Sequence, residues 1–221
     1  MTPSIPSEAV RARTLAAVRD HPAQPRAAGT RTRWLVLLAG ALYLAGSFIS
    51  LGGVVLGSRP ASHVAALGLA WGVVAVAVTW TGMARGRSML GHPVILQGWT
   101  ALAVNPALAI LALAADVAWS GAGADSAGIR AHAACFALTV LLSVGPFAAF
   151  ALVRRGTEPV APRRVGAILG AVAGTWAGLA IDLHCSHAAV SHVLVGHVLP
   201  VLVTMGTGFA LGGIVFGLRR R

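Results

Sequence analysis

The chain has 221 residues, 57% of them hydrophobic, and a mean hydropathy of +0.79. That is above the apolar share of a soluble globular domain, which is about 45–50%, and it makes the protein a membrane protein. The formal net charge of +11 comes from 17 basic residues, every one an arginine, and no basic patch interleaves with aromatics. This pattern speaks against direct nucleic-acid binding and reads as charge that sets membrane orientation. Two cysteines are too few for a disulfide framework or for a zinc site built on cysteine alone.

The first unit in chain order is a polar leader, residues 1–33. Within SEAVRARTLAAVRD, Ser7 can cap a short helix, Glu8 falls in its first turn, and His21-Pro22 ends it. Val10, Leu15 and Val18, with Arg19 beside them, give this helix a modest apolar side. Such a side is too small to fold alone but is of the kind that docks in a partner's groove. A solvated basic leader that fixes topology and touches anionic lipid fits the same residues. The first apolar run starts only at Trp34 and no small-residue cleavage site follows it, so no removable signal peptide is expected.

From Trp34 onward apolar runs alternate with turn-rich connectors. A helix needs about 20 apolar residues to cross a bilayer, because each backbone polar group must be bonded within the segment. Six runs qualify: 34–57, 63–84, 93–116, 131–153, 164–184 and 193–217. The predicted fold is therefore all-α, a six-helix transmembrane bundle occupying residues 34–221. Asn105-Pro106 and Gly145-Pro146 predict kinks in the third and fourth helices.

Arginine sorts the connectors into two sides. The leader, the connectors after spans two and four, and the C-terminal tail hold all but Arg59 and Arg130. The positive-inside rule then places both termini in the cytoplasm. It also places His63, His132, His184, His187, His192, His197, Cys135 and Cys185 at the extracytoplasmic face, leaving only His21 and His92 inside.

The densest part of that outer group is LHCSHAAVSHVLVGHVLP, residues 183–200. Thiolate and imidazole together suit soft and borderline metals, if several donors converge. His184, Cys185 and His187 begin a turn. His192 and His197 are five apart, which on an α-helix is about 140° and not one face. The other reading is a set of interfacial histidines with apolar bodies in lipid and polar tips in water. The two cysteines carry three readings: a disulfide closing a 50-residue loop and worth about 4 kcal/mol, a thiol pair converted by oxidants or thiophilic metals, or two small buried hydrophobes. Asp182, near the end of span five, reads equally as a paired membrane carboxylate or a solvated interfacial acid, as does Asp116.

Span five also carries Gly166, Gly170, Gly174 and Gly178 at every fourth residue, a stripe that lets a neighbouring backbone approach closely. Its reading is helix packing, within the bundle or between copies. Span six repeats the idea more loosely at Gly206, Gly208, Gly212 and Gly213.

These features in this order resemble the NrsF family of bacterial membrane anti-sigma factors. The resemblance is carried by CFALTVLLSVGPFAAFALVRRGTEPVAPRRVGAILGAVAGTWAGLAIDLHC, residues 135–185, with a looser match at LAAVRDHPAQPR. It implies a regulator in the bacterial cytoplasmic membrane, not a catalyst. Such a regulator would hold an extracytoplasmic-function sigma factor through its leader and cytoplasmic loops, and release it when Cys135 and Cys185 meet metal or oxidative stress. It implies no resident cofactor, only transient binding of a soft divalent metal. The resemblance departs after Cys185, where the family's stretch is aromatic and closes on Trp-Tyr but this chain has SHAAVSHVLVGH.

A different class of protein is also compatible with the histidines: a small metal- or haem-binding membrane protein using His184, His187, His192 and His197. A transporter fits less well, since spans one, two, four and six place almost no polar residue at mid-membrane. Neither a nucleophile–base arrangement nor a phosphate loop is evident, which speaks against an enzyme.

Overall fold

A computed structural model describes residues 26–56, 59–83, 93–119, 128–154 and 161–217. Among these the fold is all-helical, with six helices long and apolar enough to cross a membrane. They are α1 (Arg26–Leu51), α2 (Ala61–Gly82), α3 (Pro93–Ala118), α4 (Ile129–Arg154), α5 (Pro162–His184) and α6 (Val190–Val215). Each predicted span corresponds to one helix, to within a few residues at its ends. The first begins earlier, at Arg26, so the helix of span one runs back into the polar leader. Val10, Leu15, Val18 and Arg19 lie outside the described residues. The prolines at 106 and 146 sit inside continuous helices.

Sequence explains where the helices stop. At the end of α1, Gly52 and Gly53 take φ of +90° and +86°, a conformation that costs glycine little. The Gly53 N–H then reaches the Phe48 carbonyl at 2.7 Å, the six-to-one closure that ties off a helix C-terminus. At the other end of the bundle Pro162 opens α5 at its first turn, where its missing N–H costs nothing.

The helices are not equivalent. In α5, 94% of the spanning window is buried, against 17–33% in the other five, although α5 has the lowest mean hydropathy of the six, 1.5 against 1.9–2.2. It is the central helix. Its neighbours turn Leu42, Leu69, Leu102, Leu141 and Ile214 outward, as expected where the surrounding medium is hydrocarbon.

The glycine stripe makes this centre possible. A Cβ on Gly166 would fall on the carbonyl of Gly208, one on Gly170 on that of Thr204, and one on Gly174 would lie 2.9 Å from the Val201 Cα. Three of the four glycines therefore seat the α6 backbone directly on α5, so the seam lies within the chain. Gly178 instead admits the Trp71 ring of α2. On α6, Gly208 and Gly212 belong to the seam, whereas Gly206 faces open space. Two polar side chains pair between helices inside the bundle: the Trp176 indole donates to Thr79 Oγ1 at 2.9 Å, and the Tyr43 hydroxyl donates to the Leu142 carbonyl.

Candidate functional site

The C-terminal ends of α1, α3 and α5 and the N-terminal ends of α2, α4 and α6 meet at one end of the bundle, here termed the histidine end. Cys135 comes from the first two turns of α4 and Cys185 caps α5. Their sulfurs stand 3.9 Å apart, across 50 residues of chain. His192 Nε2 lies 3.2 Å from Cys185 Sγ. With His197, these residues place one donor atom each within 4.8 Å of one another.

The spacing of His192 and His197 argued against a shared face, yet their rings are 5.3 Å apart. The reason is that α6 is not α-helical throughout. Between Leu194 and Val198 it widens to a π-turn, in which the Leu199 N–H reaches back five residues to the Leu194 carbonyl. A turn with five-residue hydrogen bonds aligns residues five apart, and such turns recur at functional sites.

Two local features fit this widening. Pro200 has no N–H for the carbonyl four residues back, that of Gly196, and the Gly196 oxygen takes a hydrogen bond from the Thr139 hydroxyl of α4 at 3.2 Å. Gly196 itself has no side chain to hold α4 off: a Cβ there would lie 3.1 Å from the Cys135 Cβ. Pro200 and Gly196 were thus the legible signal for a turn that ideal helical geometry misses.

The four histidines singled out in residues 183–200 separate into two pairs. His192 and His197 join the thiols and are fully buried. His187 tilts its ring against that of His192, with centroids 5.0 Å apart, outside the set of four donors. His184 turns away, its Nδ1 3.1 Å from the Gly53 carbonyl. His132 edges onto His192 from α4, with ring centroids 4.9 Å apart, and His63 stacks on Trp119.

Asp182 is fully buried, so of its two sequence readings the structure has the paired one. Arg59, one of only two arginines on its side, reaches in from the connector before α2. Its Nη2 is 3.2 Å from Asp182 Oδ2, and its Nη1 donates to the carbonyls of Asp182 at 2.6 Å and Cys185 at 2.9 Å. A cation at a helix C-terminus meets the negative end of the helix dipole and the carbonyls that lack partners there. Sequence reading used Arg59 only to count charge. The other carboxylate oxygen, Oδ1, faces His197 Nδ1 at 3.7 Å.

These surroundings act on Cys185. The hydrogen bond with Cys135 is the largest cause holding its thiol below the ordinary cysteine range; burial opposes this, and the hydrogen bond with His192 and the nearness of His197 reinforce it. A lowered thiol is the nucleophilic and metal-binding form at neutral pH. The four donor atoms lie close enough together to share one ion.

The family model described as "NrsF: Negative regulator of sigma F" matches residues 16–217. The chain belongs to the NrsF family. Its family role is that of a negative regulator of a sigma factor, and the match covers the leader's second half and every spanning helix. No curated protein and no solved structure matches the chain.

Proposed function

We propose that this NrsF-family protein is a membrane-embedded anti-sigma factor of the bacterial cytoplasmic membrane, with both termini in the cytoplasm and the histidine end outside. It holds an extracytoplasmic-function sigma factor through the leader, with Val10, Leu15, Val18 and Arg19 as the docking side, and through its arginine-rich loops. It releases that factor when stress acts on Cys135 and Cys185. It is a regulator, not an enzyme, and contacts no nucleic acid itself.

The observation that supports this reading is the meeting of the chain's only two cysteines at 3.9 Å. A disulfide has sulfurs about 2.05 Å apart, so oxidation must bring the two sulfurs about 2 Å closer, by side-chain rotation and by shifting the end of α5 against the first turns of α4. With a peroxide as oxidant, the Cys185 thiolate attacks one oxygen to form a sulfenic acid, and the other oxygen leaves as water after protonation. The Cys135 thiol then displaces a second water as the S–S bond closes. The central position of α5 lets it carry a change at its outer end toward its other end at Pro162. A coupling of about 1–3 kcal/mol is usual for such switches and changes occupancy about 5- to 150-fold.

The test is a sigma-dependent reporter in cells carrying C135S/C185S. Peroxide should no longer induce it, while membrane abundance and basal repression persist. Unchanged induction with normal abundance would overturn the sensor role. Labelling of intact spheroplasts with an impermeant thiol reagent checks orientation: both cysteines should react only from outside.

A further inference from the structure

We infer that Cys135, Cys185, His192 and His197 form a four-coordinate site for a divalent d10 cation of the zinc and cadmium type. The inference concerns the sensor pair and rests on the sensor reading for its regulatory meaning, but the site is argued from its own geometry. A tetrahedral ion with metal–sulfur bonds of about 2.3 Å and metal–nitrogen bonds of about 2.0–2.1 Å holds its sulfurs about 3.8 Å apart and a sulfur and a nitrogen about 3.6 Å apart. The observed Sγ–Sγ separation is 3.9 Å and the Cys185–His192 separation 3.2 Å. The sulfurs thus stand at the edge length of a metal tetrahedron, nearly twice the length of a disulfide bond.

Unpartnered polar atoms point the same way. His197 is fully buried, yet neither ring nitrogen has a hydrogen-bond partner, and the Nδ1 of buried His192 has none either. Leaving such groups unpaired is costly, and a bound ion would satisfy one nitrogen of His197, since each ring offers it one ligand atom. Asp182 stands next to that ring: its Oδ1 faces His197 Nδ1 at 3.7 Å, longer than a hydrogen bond but close enough to become one with a small shift of either side chain. A carboxylate on the far nitrogen orients a ligating imidazole and raises its basicity, which leaves His197 Nε2 for the metal.

Charge selects the class of ion. In the bound site two thiolates, a divalent cation and two neutral imidazoles sum to zero. The adjoining Arg59–Asp182 pair is also neutral. A monovalent copper ion would leave a net negative charge in a buried site at the membrane's edge, which is expensive. Thiolate and imidazole together match borderline and soft cations.

The test uses the full-length chain, reduced and in detergent, titrated with zinc(II) against a chromophoric chelator and separately with cobalt(II). One zinc per chain is expected, with cobalt giving tetrahedral d–d bands and thiolate charge transfer. H184A and H187A, outside the set, should bind within about threefold of the parent. H192A, H197A and C135S should each weaken zinc at least tenfold, and D182N should weaken it about 10- to 100-fold, as losing a metal ligand's orienting partner does. Undiminished zinc affinity in H192A/H197A, or a six-coordinate cobalt spectrum, would overturn the site. Peroxide must still join the two cysteines of H192A/H197A, as a check on its fold; if it does not, H192Q/H197Q carries the same expectation. The two readings separate cleanly. Loss of zinc binding with cysteine-dependent sigma release intact defeats this inference alone, whereas zinc binding with release indifferent to C135S/C185S defeats only the sensor.

Discussion

The two ends of α5 solve the problem of packing inside a membrane in opposite ways. From Gly166 to Gly174 the helix meets α6 backbone to backbone, with almost no side chain between them. From Asp182 to Cys185 it meets Arg59, His192, His197 and Cys135 through charge, hydrogen bonds and sulfur. Lipid offers no hydrophobic drive for helices to associate, so close contact of small residues is the cheap route and polar contact the costly one. A costly arrangement at one end beside a cheap one at the other marks where the molecule has something to do besides fold.

The sharpest way to break this contrast is Arg59→Ala, which strands a buried carboxylate. It should destabilise the bundle by about 3–5 kcal/mol, read as a lower midpoint of unfolding in mixed detergent. R59A/D182N should recover most of the loss. If R59A unfolds like the parent, the polar end is not structural at all. Next in size is Gly170→Val, which drives a side chain into the Thr204 carbonyl and should cost about 1–3 kcal/mol or more. Gly206→Ala, at a position facing open space, should be neutral, and equal effects at the two glycines would dissolve the seam.

A smaller effect separates the thiols from the seam by pH. Because the Cys185 thiol is lowered, first by Cys135, its thiolate persists well below the usual value of about 8.5. Its contribution to stability is full above that value and is lost as pH falls through the depressed folded one. Alkylation of Cys185 in the reduced chain should therefore stay nearly constant from about pH 8 to pH 6, while in C135S it should fall steeply with acidification. Peptide mass analysis measures both. The smallest expected change is Thr139→Val, which removes the hydroxyl shared between Cys135 O and Gly196 O. It should cost about 1 kcal/mol, seen in the same unfolding assay, and should slow peroxide closure of the cysteines by loosening the π-turn.

Much of the bundle was legible because lipid imposes a one-dimensional rule. The six runs announced themselves by length and apolarity, and the four glycines by their spacing. That Cys135 and Cys185 share one end of the bundle followed from counting spans, and that their sulfurs meet did not. The site was less legible. His184 and His187 sit in the same short stretch as His192 and His197, and nothing in composition distinguishes the pairs. An ideal helix places residues 192 and 197 on different faces, and only the π-turn ahead of Pro200 aligns them. Asp182 was balanced between water and a partner, because that partner, Arg59, comes from a connector 123 residues earlier. The leader's docking residues fall outside the described part of the chain.

The sequence by itself determined how many helices there are and which residues share an end, since a backbone in hydrocarbon must bond to itself and leaves few choices of segment. Tertiary structure alone decided that α5 lies at the centre, that its glycines seat α6, and that two histidines of four turn toward the sulfurs. Those outcomes depend on contacts between distant segments and on one local departure from α-helical pitch, and neither is written in the composition of any single stretch.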